Sequence, residues 1–241
     1  MDFVKIVAAI PCLNAEPFIG DVVTKTRKYI ARVIVVDDGS RDATARIARA
    51  AGALVVSHGV SKGYGESIKS CFEEARKNDA EILVILDGDG QHNPDEIPRL
   101  TMPVIGSEAN LVIGSRFLSV ESNIPQYREL GIKFITCLFN LGSKIKLTDA
   151  QSGFRAYGKE VLNAFPLIEK GMGISVEVII KARAKGFTIK EVPISCSYHE
   201  GSSTMNPVLH GLIVVVAVMK FRFKTVWDRV ATKSKRARTK R

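Results

Sequence analysis

The sequence has few cysteines, and no two of them stand close together. The four occupy positions 12, 71, 137 and 196, so none forms the CxxC pair typical of zinc sites and thiol-exchange centres. We therefore interpret them as reduced, small apolar residues of a cytosolic protein. This interpretation excludes a disulfide scaffold and a cysteine-based metal centre.

Long hydrophobic runs are also missing. Crossing a bilayer takes roughly 18 or more consecutive apolar residues, and the longest approach to that length is the run GLIVVVAVM at residues 211–219. The first residues, MDFVKIVAAIPCLN, carry an early Asp2 and no basic segment. They predict a first strand instead of a signal peptide.

Three common catalytic signatures are absent as well. No GxxxxGK[ST] phosphate loop occurs, and no GxSxG nucleophile elbow occurs. The segment Lys62-Gly63-Tyr64-Gly65 has no third glycine at Ile68 and does not follow the first strand, so it is not a dinucleotide fingerprint. These absences exclude P-loop, Ser-His-Asp hydrolase and nicotinamide or flavin chemistry.

Positive charge, in contrast, is plentiful and uneven. The chain of 241 residues has a formal net charge of +10, but six basic residues and no acid lie in its last nine, KSKRARTKR. Without that tail the surplus falls to about +4, which is ordinary for a globular domain. The basicity therefore describes a tail and indicates an anionic surface as its partner.

The first half of the chain alternates apolar runs with helical patterns, and 46% of all residues are hydrophobic, enough for a sizeable core. Apolar strands between amphipathic helices predict an α/β fold with a mostly parallel sheet covered on both faces. The predicted strands are residues 3–10, 32–36, 53–57, 81–86 and 109–114, and the predicted helices are residues 17–29, 43–51 and 64–77.

The second half is less regular. It predicts helices over residues 127–144, 175–185 and 208–223, and strands over residues 153–157 and 188–195. The helix at 208–223 is apolar over most of its surface and is followed by the basic tail. This combination predicts an interfacial helix with an electrostatic anchor on a membrane. A core helix followed by a solvated tail is the alternative.

Two aspartates follow the fourth predicted strand, in the segment LDGDGQHNPDE. Asp87 and Asp89, with Gln91 two residues on, can hold one hard divalent cation, Mg²⁺ or Mn²⁺, that bridges the oxygens of a departing diphosphate. Ordinary polar turns also use Asp and Gly, so the motif alone is a weak signal. The buried strand before it and the Gln-His after it favour the metal site.

Polar residues also follow the first and second strands. Asp37 and Asp38 close the second strand, where acids can bond ribose hydroxyls and a base edge. A strand-to-helix turn capped by Ser40 or Asp42 is the alternative, and both can hold. Pro11, Asn14 and Glu16 lie past the first strand, on the same predicted rim.

Several cations and histidines are candidates for phosphate or site contacts. Arg116 ends the fifth strand, Arg128 opens the next helix and Arg155 lies in DAQSGFR; each matches phosphate geometry, with an ordinary ion pair as the alternative. His92 and His199 are possible neighbours of the site. We interpret His58 and His210 as structural.

Taken in order, these segments resemble the family 2 glycosyltransferases of GT-A fold. The similarity is greatest to the branch of dolichyl-phosphate mannose synthases and polyprenyl-phosphate glycosyltransferases. The matching pieces are IPCLNAE, VVDDGSRDAT, KGYGESIKSC, LDGDGQHNPDEIP, VIGSRF and TDAQSGFRAY, with GISVEVIIKARAKGFTIKEVPIS extending the match to about residue 195. The resemblance implies a GT-A domain over residues 1–205. The apolar helical pattern and the basic run after it predict a membrane-interface helix over 206–224 and a basic, disordered tail over 225–241.

The resemblance also implies a role for each matching residue. The nucleotide-binding set is Pro11, Asn14, Glu16, Asp37, Asp38, Lys62 and Asp87. The metal set is Asp87, Asp89 and Gln91, and the set for the acceptor phosphate is Arg116, Arg128, Ser152 and Arg155. Asp149, Asp89 and Arg128 are the residues implied in catalysis.

One departure from the family pattern stands near the end of the domain. Relatives carry a basic stretch after the last strand, whereas residues 198–204 here read YHEGSST, and no Arg or Lys occurs between Lys190 and Lys220. A diphosphate clamp from this loop would depend on His199 alone.

The activity implied is inverting transfer of a hexose, with mannose favoured, from GDP-mannose or a UDP-hexose to a polyprenyl or dolichyl phosphate. The enzyme would be peripheral on the cytoplasmic face of a membrane. A phosphate acceptor is already anionic near neutral pH and needs little help from a base. If the enzyme instead extends a lipid-linked oligosaccharide, the acceptor is a hydroxyl, and Asp149 is the candidate base.

Two unrelated functions compete with this interpretation. A sugar-nucleotide nucleotidyltransferase also needs a metal and a nucleotide pocket, but it opens with a glycine-rich basic loop that IPCLNAE does not match. A nucleic-acid-binding module would use the tail but leaves both acidic clusters unexplained, because acids repel phosphate without a metal. We therefore expect no nucleic-acid partner.

Overall fold

A seven-stranded sheet organises the residues that the computed structural model describes, which are 4–118, 123–141, 143, 145–198 and 215–216. The strand order is β3-β2-β1-β4-β6-β5-β7, and only β6 runs antiparallel to its neighbours. The strands are β1 (Ile6–Cys12), β2 (Arg32–Asp37), β3 (Leu54–Ser57), β4 (Ile82–Ile85), β5 (Leu111–Ser115), β6 (Arg155–Gly158) and β7 (Ile189–Pro193). The predicted α/β fold with a mostly parallel sheet is confirmed.

Helices connect most of these strands. They are α1 (Glu16–Thr26), α2 (Thr44–Ala50), α3 (Tyr64–Lys77), α4 (Ile97–Ile105), α5 (Gln126–Asn140), α6 (Lys159–Ala164) and α7 (Ile174–Ala184). The sequence patterns predicted neither α4 nor α6. α4 was not predicted because it contains prolines at positions 98 and 103. The helix tolerates them because Pro98 lies in its first turn, where no N–H is needed, and Pro103 lies near its end.

The core lies on both faces of the sheet. Along β1, Val7 and Ala9 join one buried cluster, while Ala8 and Ile10 join the other. Side chains alternate between faces along a strand, so a strand buried on both sides reads as a continuous apolar run. This is why β1, β2 and β4 carried no polar alternation in the sequence.

The strand ends place the polar loops at one edge. Cys12 of β1 pairs with Asp37 of β2, and the loop after β4 stays beside β1 because the Gly88 N–H donates to Pro11 O at 3.3 Å. Because β6 runs the other way, its first residue, Arg155, pairs with the last residue of β4, Ile85. The DAQSGFR segment therefore enters the same edge from the opposite direction.

The start of α2 differs from its prediction. The N-cap of α2 is Ala43, without a side-chain cap, whereas the sequence predicted Ser40 or Asp42 at this position. Asp42 stands one residue earlier and still accepts the Thr44 N–H, at 3.0 Å. It thus satisfies a donor at the helix start, as a capping side chain would.

The carboxyl-terminal predictions fall mostly outside the described residues. Of the helix predicted at 208–223, the structure describes Val215 and Val216, and Val215 packs against the core cluster beneath one sheet face. The basic tail, His199 and His210 lie outside as well, so the division at residues 205 and 224 stays a prediction. Within the described ranges, no helix combines the length and hydropathy needed to span a bilayer.

Candidate active site

A cavity of about 560 Å³ lies at the edge where the loops after β1, β2 and β4 meet the segment before β6. It is large enough for a nucleotide-sized ligand. Eight of the predicted site residues line it. These are Pro11, Asn14, Asp38, Asp87, Asp89, Gln91, Arg116 and Arg128.

Asp87 and Asp89 are acids with few donors. The Tyr64 hydroxyl donates to Asp87 Oδ1 over a long 3.4 Å, and the Gln91 N–H donates to Asp89 Oδ1 at 3.1 Å. Burial raises the pKa of both carboxyls, and the charge of Asp87 raises the pKa of Asp89 further. Two neighbouring carboxylates that are costly to ionise favour a cation between them.

His92 does not supply that cation. Its Nδ1 lies 3.8 Å from Asp87 Oδ2, but the same nitrogen accepts the Asp87 N–H, at 3.3 Å. Burial lowers the pKa of His92 to about 4, so the ring is neutral near pH 7. The expectation that His92 neighbours the site agrees with its position in the cavity wall.

The residues that line this part of the cavity suit a hard divalent ion whose coordination shell is completed by a bound ligand. No group of three His, Cys, Asp or Glu side chains in the described part of the chain forms a complete metal cage. Mg²⁺ commonly takes one or two carboxylates and completes its shell with substrate phosphates and water. Asp87, Asp89 and the Gln91 amide are the groups that would hold it, and the raised carboxyl pKa values fit such an ion.

Two glycines allow the surrounding loops to approach. A Cβ at Gly153 would lie 2.5 Å from Asp87 Oδ2, and a Cβ at Gly88 would lie 2.8 Å from the Cβ of Cys12. Neither glycine has a positive φ, so close packing is the reason for the missing side chains. The segment before β6 thus lies directly against the Asp87 carboxylate.

Asp38, in contrast, already has a complete set of donors. Its Oδ1 accepts the Lys62 N–H and faces His58 Nδ1 at 2.7 Å, while its Oδ2 accepts from the Ser61 hydroxyl and the Gly63 N–H. Burial works against the charge, but these hydrogen bonds outweigh it and lower the pKa of Asp38. Asp38 therefore organises the loop at residues 58–63.

Three other residues predicted to bind the nucleotide, Asp37, Glu16 and Lys62, also make hydrogen bonds within the protein. Asp37 accepts from Ser40 N and the Ser57 hydroxyl, and Glu16 Oε2 accepts from Ala43 N, so neither lines the cavity. Lys62 also lies outside the lining, and its N–H holds Asp38. Nucleotide contacts by Asp37, Glu16 and Lys62 stay predictions without support from the cavity geometry.

His58 is structural, as interpreted from the sequence. Its Nδ1 faces Asp38 and its Nε2 lies 2.9 Å from the Ser70 hydroxyl of α3. The ring therefore ties the loop after β2 to a neighbouring helix.

On the opposite wall, Arg116 forms a bidentate pair with Asp149. Arg116 Nε and Nη2 donate to the two carboxylate oxygens at 2.6 and 2.8 Å, and Nη1 donates to the Tyr198 hydroxyl at 3.0 Å. The Arg128 guanidinium lies 5.3 Å from the centre of the Tyr198 ring, in cation–π range. Arg116 and Arg128 thus reach the cavity side by side across Tyr198.

Asp149 is not placed as a base. Its side chain is 0% exposed, and Oδ1 also accepts the N–H groups of Gln151 and Ser152. Burial opposes its charge, but Arg116 prevails and holds the pKa of Asp149 below its ordinary value. The structure gives Asp149 the part of a positioning residue for Arg116.

Ser152 and Arg155 are also turned into the protein. Arg155 is 1% exposed and donates to the carbonyls of Ala150, Ser152 and Ser175. Ser152 is buried beside it, and neither residue lines the cavity. The structure does not bring them to the phosphate side, so that assignment stays a prediction without geometric support.

Several lining residues escaped the sequence predictions. Tyr64 and Gln151 lay within recognised segments, KGYGESIKSC and TDAQSGFRAY, but had no role assigned. Tyr198 carried no signal, because it reaches the cavity through the isolated bridge pairing His92 with Cys196. Met172 lines it from a segment stabilised by buried Glu177, which accepts the N–H groups of Ile168 and Glu169.

Comparison with known proteins adds family information to this geometry. The family model described as Glycosyl transferase family 2 matches residues 7–165. The UDP-N-acetylglucosamine–dolichyl-phosphate N-acetylglucosaminyltransferase of Methanococcus voltae is 32% identical over 91% of this chain and 96% of its own length. The undecaprenyl-phosphate mannosyltransferase of Micrococcus luteus is 33% identical over 81% of this chain and 84% of its own.

Solved structures agree on the fold. Glucosyl-3-phosphoglycerate synthase from Mycobacterium tuberculosis, in complex with Mn²⁺, uridine diphosphate and phosphoglyceric acid, superposes with a TM-score of 0.71 at 24% identity. The match covers 90% of this chain and 78% of that one. At this identity the likeness establishes the fold.

Proposed function

The chain belongs to glycosyltransferase family 2, and we propose that it transfers a hexose from a nucleotide sugar to a polyprenyl phosphate. One observation carries the proposal: a single cavity holds two under-bonded carboxylates, Asp87 and Asp89, and two arginines, Arg116 and Arg128. The carboxylates suit a cation-held leaving diphosphate, and the arginines suit a second, anionic reactant. Similar proteins named for dolichyl and undecaprenyl phosphate support this choice of acceptor.

At the donor end, Asp87, Asp89 and Gln91 would hold Mg²⁺ or Mn²⁺. When bound, the ion would supply positive charge to the oxygens of the nucleoside diphosphate as it leaves. Asn14 and Pro11 line the neighbouring part of the cavity, where the nucleoside would lie. Asp38 keeps the 58–63 loop in place there, and its contact with ribose or base is part of the proposal.

At the acceptor end, Arg116 and Arg128 would receive the lipid phosphate. Such a phosphate monoester carries negative charge near neutral pH, so its oxygen can attack the anomeric carbon without a general base, with inversion. Asp149, the candidate base for a hydroxyl acceptor, is buried in its pair with Arg116. This geometry favours the phosphate acceptor over the extension of a lipid-linked oligosaccharide.

The donor is proposed at the level of a hexose linked to GDP or UDP. The similar proteins include both a mannosyltransferase and an N-acetylglucosaminyltransferase. Mannose therefore stays the first sugar to test, beside N-acetylglucosamine.

We further propose that the enzyme works on the cytoplasmic face of a membrane, with α5 facing the bilayer. Tyr127, Leu130, Phe134 and Leu141 follow one another at helical spacing and are each 54–70% exposed. The exposed Lys146 follows the helix, and Lys133, paired with Glu129, borders the stripe. An exposed apolar stripe with a lysine, Lys146, beyond its end fits an anionic lipid surface. The helix at 208–223 and the basic tail stay predicted additional anchors.

Vesicle flotation with anionic lipid tests this orientation. Phe134→Glu should weaken binding roughly tenfold, because a ring that enters the interface is replaced by a charge. Met102→Glu on α4 is the matched control, since Met102 is 62% exposed and Phe134 is 61% exposed. Equal binding by both variants would argue against α5 as the membrane-facing surface.

The function itself is tested with a panel of GDP- and UDP-sugars. Each is mixed with the enzyme, Mn²⁺ or Mg²⁺ and a polyprenyl phosphate, and both nucleoside diphosphate and glycolipid are measured. We expect one donor to give equal amounts of the two products, and EDTA to stop the reaction. In parallel mixtures, transfer to a lipid-linked oligosaccharide but not to the phosphate would overturn the acceptor. Formation of a nucleotide sugar and pyrophosphate from a sugar phosphate and a nucleoside triphosphate would indicate a nucleotidyltransferase.

A further inference from the structure

The side-chain nitrogen of Gln151 is buried in the cavity wall without a partner. Gln151 lines the cavity, and no hydrogen-bond acceptor for its Nε2 occurs among the residues that the structure describes. A buried amide donor without an acceptor is costly, so native proteins rarely retain one. Such a group in the wall of a binding cavity points to an acceptor supplied by the ligand.

The backbone around Gln151 is held in place by buried charged groups. Asp149 Oδ1 accepts the N–H groups of Gln151 and Ser152, at 3.2 and 3.1 Å. From the other side, Arg155 donates to the carbonyls of Ala150 and Ser152. The turn is thus held at both ends by buried charged groups, and Gln151 is presented on a rigid support.

The position of this turn indicates which part of the ligand it meets. On one side, Asp149 holds Arg116, which is proposed to receive the attacking phosphate. On the other side, Gly153 lies against Asp87, which is proposed to hold the leaving diphosphate. In a direct displacement the sugar lies between the attacking and leaving groups, and Gln151 stands between Asp149 and Gly153.

We propose that Gln151 recognises the donor sugar by donating a hydrogen bond from Nε2 to one of the hexose oxygens. This inference rests on the proposed function and adds a residue that determines sugar specificity. The nucleoside diphosphate is held elsewhere, so Gln151 distinguishes one sugar from another without contributing to nucleotide affinity.

Calorimetry on the full chain with Mn²⁺ tests the assignment through binding alone. Gln151→Leu removes the donor at similar volume, and Gln151→Glu keeps the shape but replaces the donor with an acceptor. We expect the affinity for the preferred nucleotide sugar to fall roughly 10- to 100-fold in both variants. In Gln151→Leu, which adds no charge, the affinity for the corresponding nucleoside diphosphate should change less than about twofold. Both affinities should also change less than about twofold in Gln126→Leu, which removes an exposed glutamine at the start of α5.

Monodeoxy derivatives of the donor sugar then identify the hydroxyl. In the unmodified protein one derivative should bind roughly 10-fold or more weakly than the parent sugar. With Gln151→Leu that derivative and the parent should bind alike, because the partner of the missing hydroxyl is gone. The other derivatives should keep their ratios.

Three outcomes would overturn the assignment. An equal loss of nucleoside diphosphate affinity would place Gln151 on the diphosphate or in a structural role. Unchanged affinity for the nucleotide sugar would mean that water satisfies the amide. A deoxy series whose ratios are the same in both proteins would exclude a hydroxyl contact. Failure of the proposed acceptor is seen separately, as nucleotide-sugar binding without transfer to polyprenyl phosphate.

Discussion

The two acidic motifs at the sheet edge look alike in sequence but differ in their hydrogen bonding. At the end of β2, Asp38 receives four donors from the loop at residues 58–63, and its pKa is lowered. Beyond β4, Asp87 and Asp89 receive few donors, and burial raises the pKa of both. The first motif is electrostatically complete within the protein, and the second requires a cation from outside it.

We therefore expect the motif with Asp38 to contribute mainly to stability, and the motif with Asp87 and Asp89 to contribute mainly to activity. A carboxylate that many donors satisfy stabilises the fold that surrounds it, whereas carboxylates that burial penalises impose a cost that a ligand can offset. A charge-neutralising substitution should therefore damage the two motifs in opposite ways.

The largest effect is expected for Asp89→Asn. Turnover should fall roughly 100- to 1,000-fold, because a group that helps to stabilise the departing charge is lost. The metal-free protein should keep or gain stability, since a partly buried carboxylate with few partners loses its charge. Measuring nucleoside diphosphate release beside urea unfolding in EDTA checks both halves. A variant that unfolds more readily would contradict the contrast.

Asp38→Asn should show the reverse pattern. The substitution weakens several charge-assisted hydrogen bonds in a buried site, so the free energy of unfolding should fall by about 2–3 kcal/mol. Urea unfolding gives the value directly. Turnover of the folded fraction, compared with that of Asp89→Asn, is the control, and it should fall far less. Full stability with lost nucleotide binding would mean that Asp38 serves the ligand alone and does not hold the loop at residues 58–63.

A smaller effect, on metal affinity, is expected from a side chain added at Gly153 in the turn before β6. Gly153→Ala puts a methyl group 2.5 Å from the position of Asp87 Oδ2, so the carboxylate must shift. We expect Mn²⁺ affinity, measured with nucleoside diphosphate present, to fall about tenfold, as for other changes beside a metal ligand. Gly131→Ala, on exposed α5 with open space around it, is the control and should leave affinity unchanged. Equal affinities would mean that Asp87 is not a ligand.

The smallest effect is a pH trend of opposite sign in the two motifs, in metal-free protein. The lowered pKa of Asp38 contributes stability above the ordinary carboxyl range, and this is lost as pH falls through the lowered pKa. The raised pKa of Asp89 favours folding at low pH, and this contribution is lost as pH rises through the raised pKa. The penalty of Asp38→Asn should therefore shrink in acid, while any gain from Asp89→Asn should appear only as pH rises.

Urea unfolding between pH 3.5 and 7 in EDTA, compared with the unsubstituted protein, measures both trends. Parallel curves for the two variants would remove the distinction between the motifs.

Features that depend on neighbouring residues were predicted better than features that depend on residues far apart in sequence. α3 was predicted with its observed bounds, residues 64–77, because its amphipathic period is local. α4 was missed because its two prolines resemble a loop signal. The metal pair predicted from LDGDGQ lines the cavity. Asp149, predicted as a base only for a hydroxyl acceptor, pairs instead with Arg116, which lies 33 residues away in sequence, beyond the reach of a local pattern.

By itself, the sequence determined that apolar strands would alternate with helices and that acids would follow two of those strands. Continuous apolar runs imply strands buried on both faces, and parallel strands bring their carboxyl ends to one edge. Both inferences need only neighbouring residues and the geometry of a sheet.

Which charged groups have hydrogen-bond partners and which face the cavity depends on contacts between residues far apart in sequence. The donors to Asp38 come from 20 to 25 residues away, and Tyr198 reaches Arg116 across 82 residues. The reversed direction of β6 brings Gln151 and Gly153 to the edge where β4 ends. Because the cost of a buried charge depends on the partners that the fold assembles, no local pattern could separate the structural acid from the cation-seeking pair.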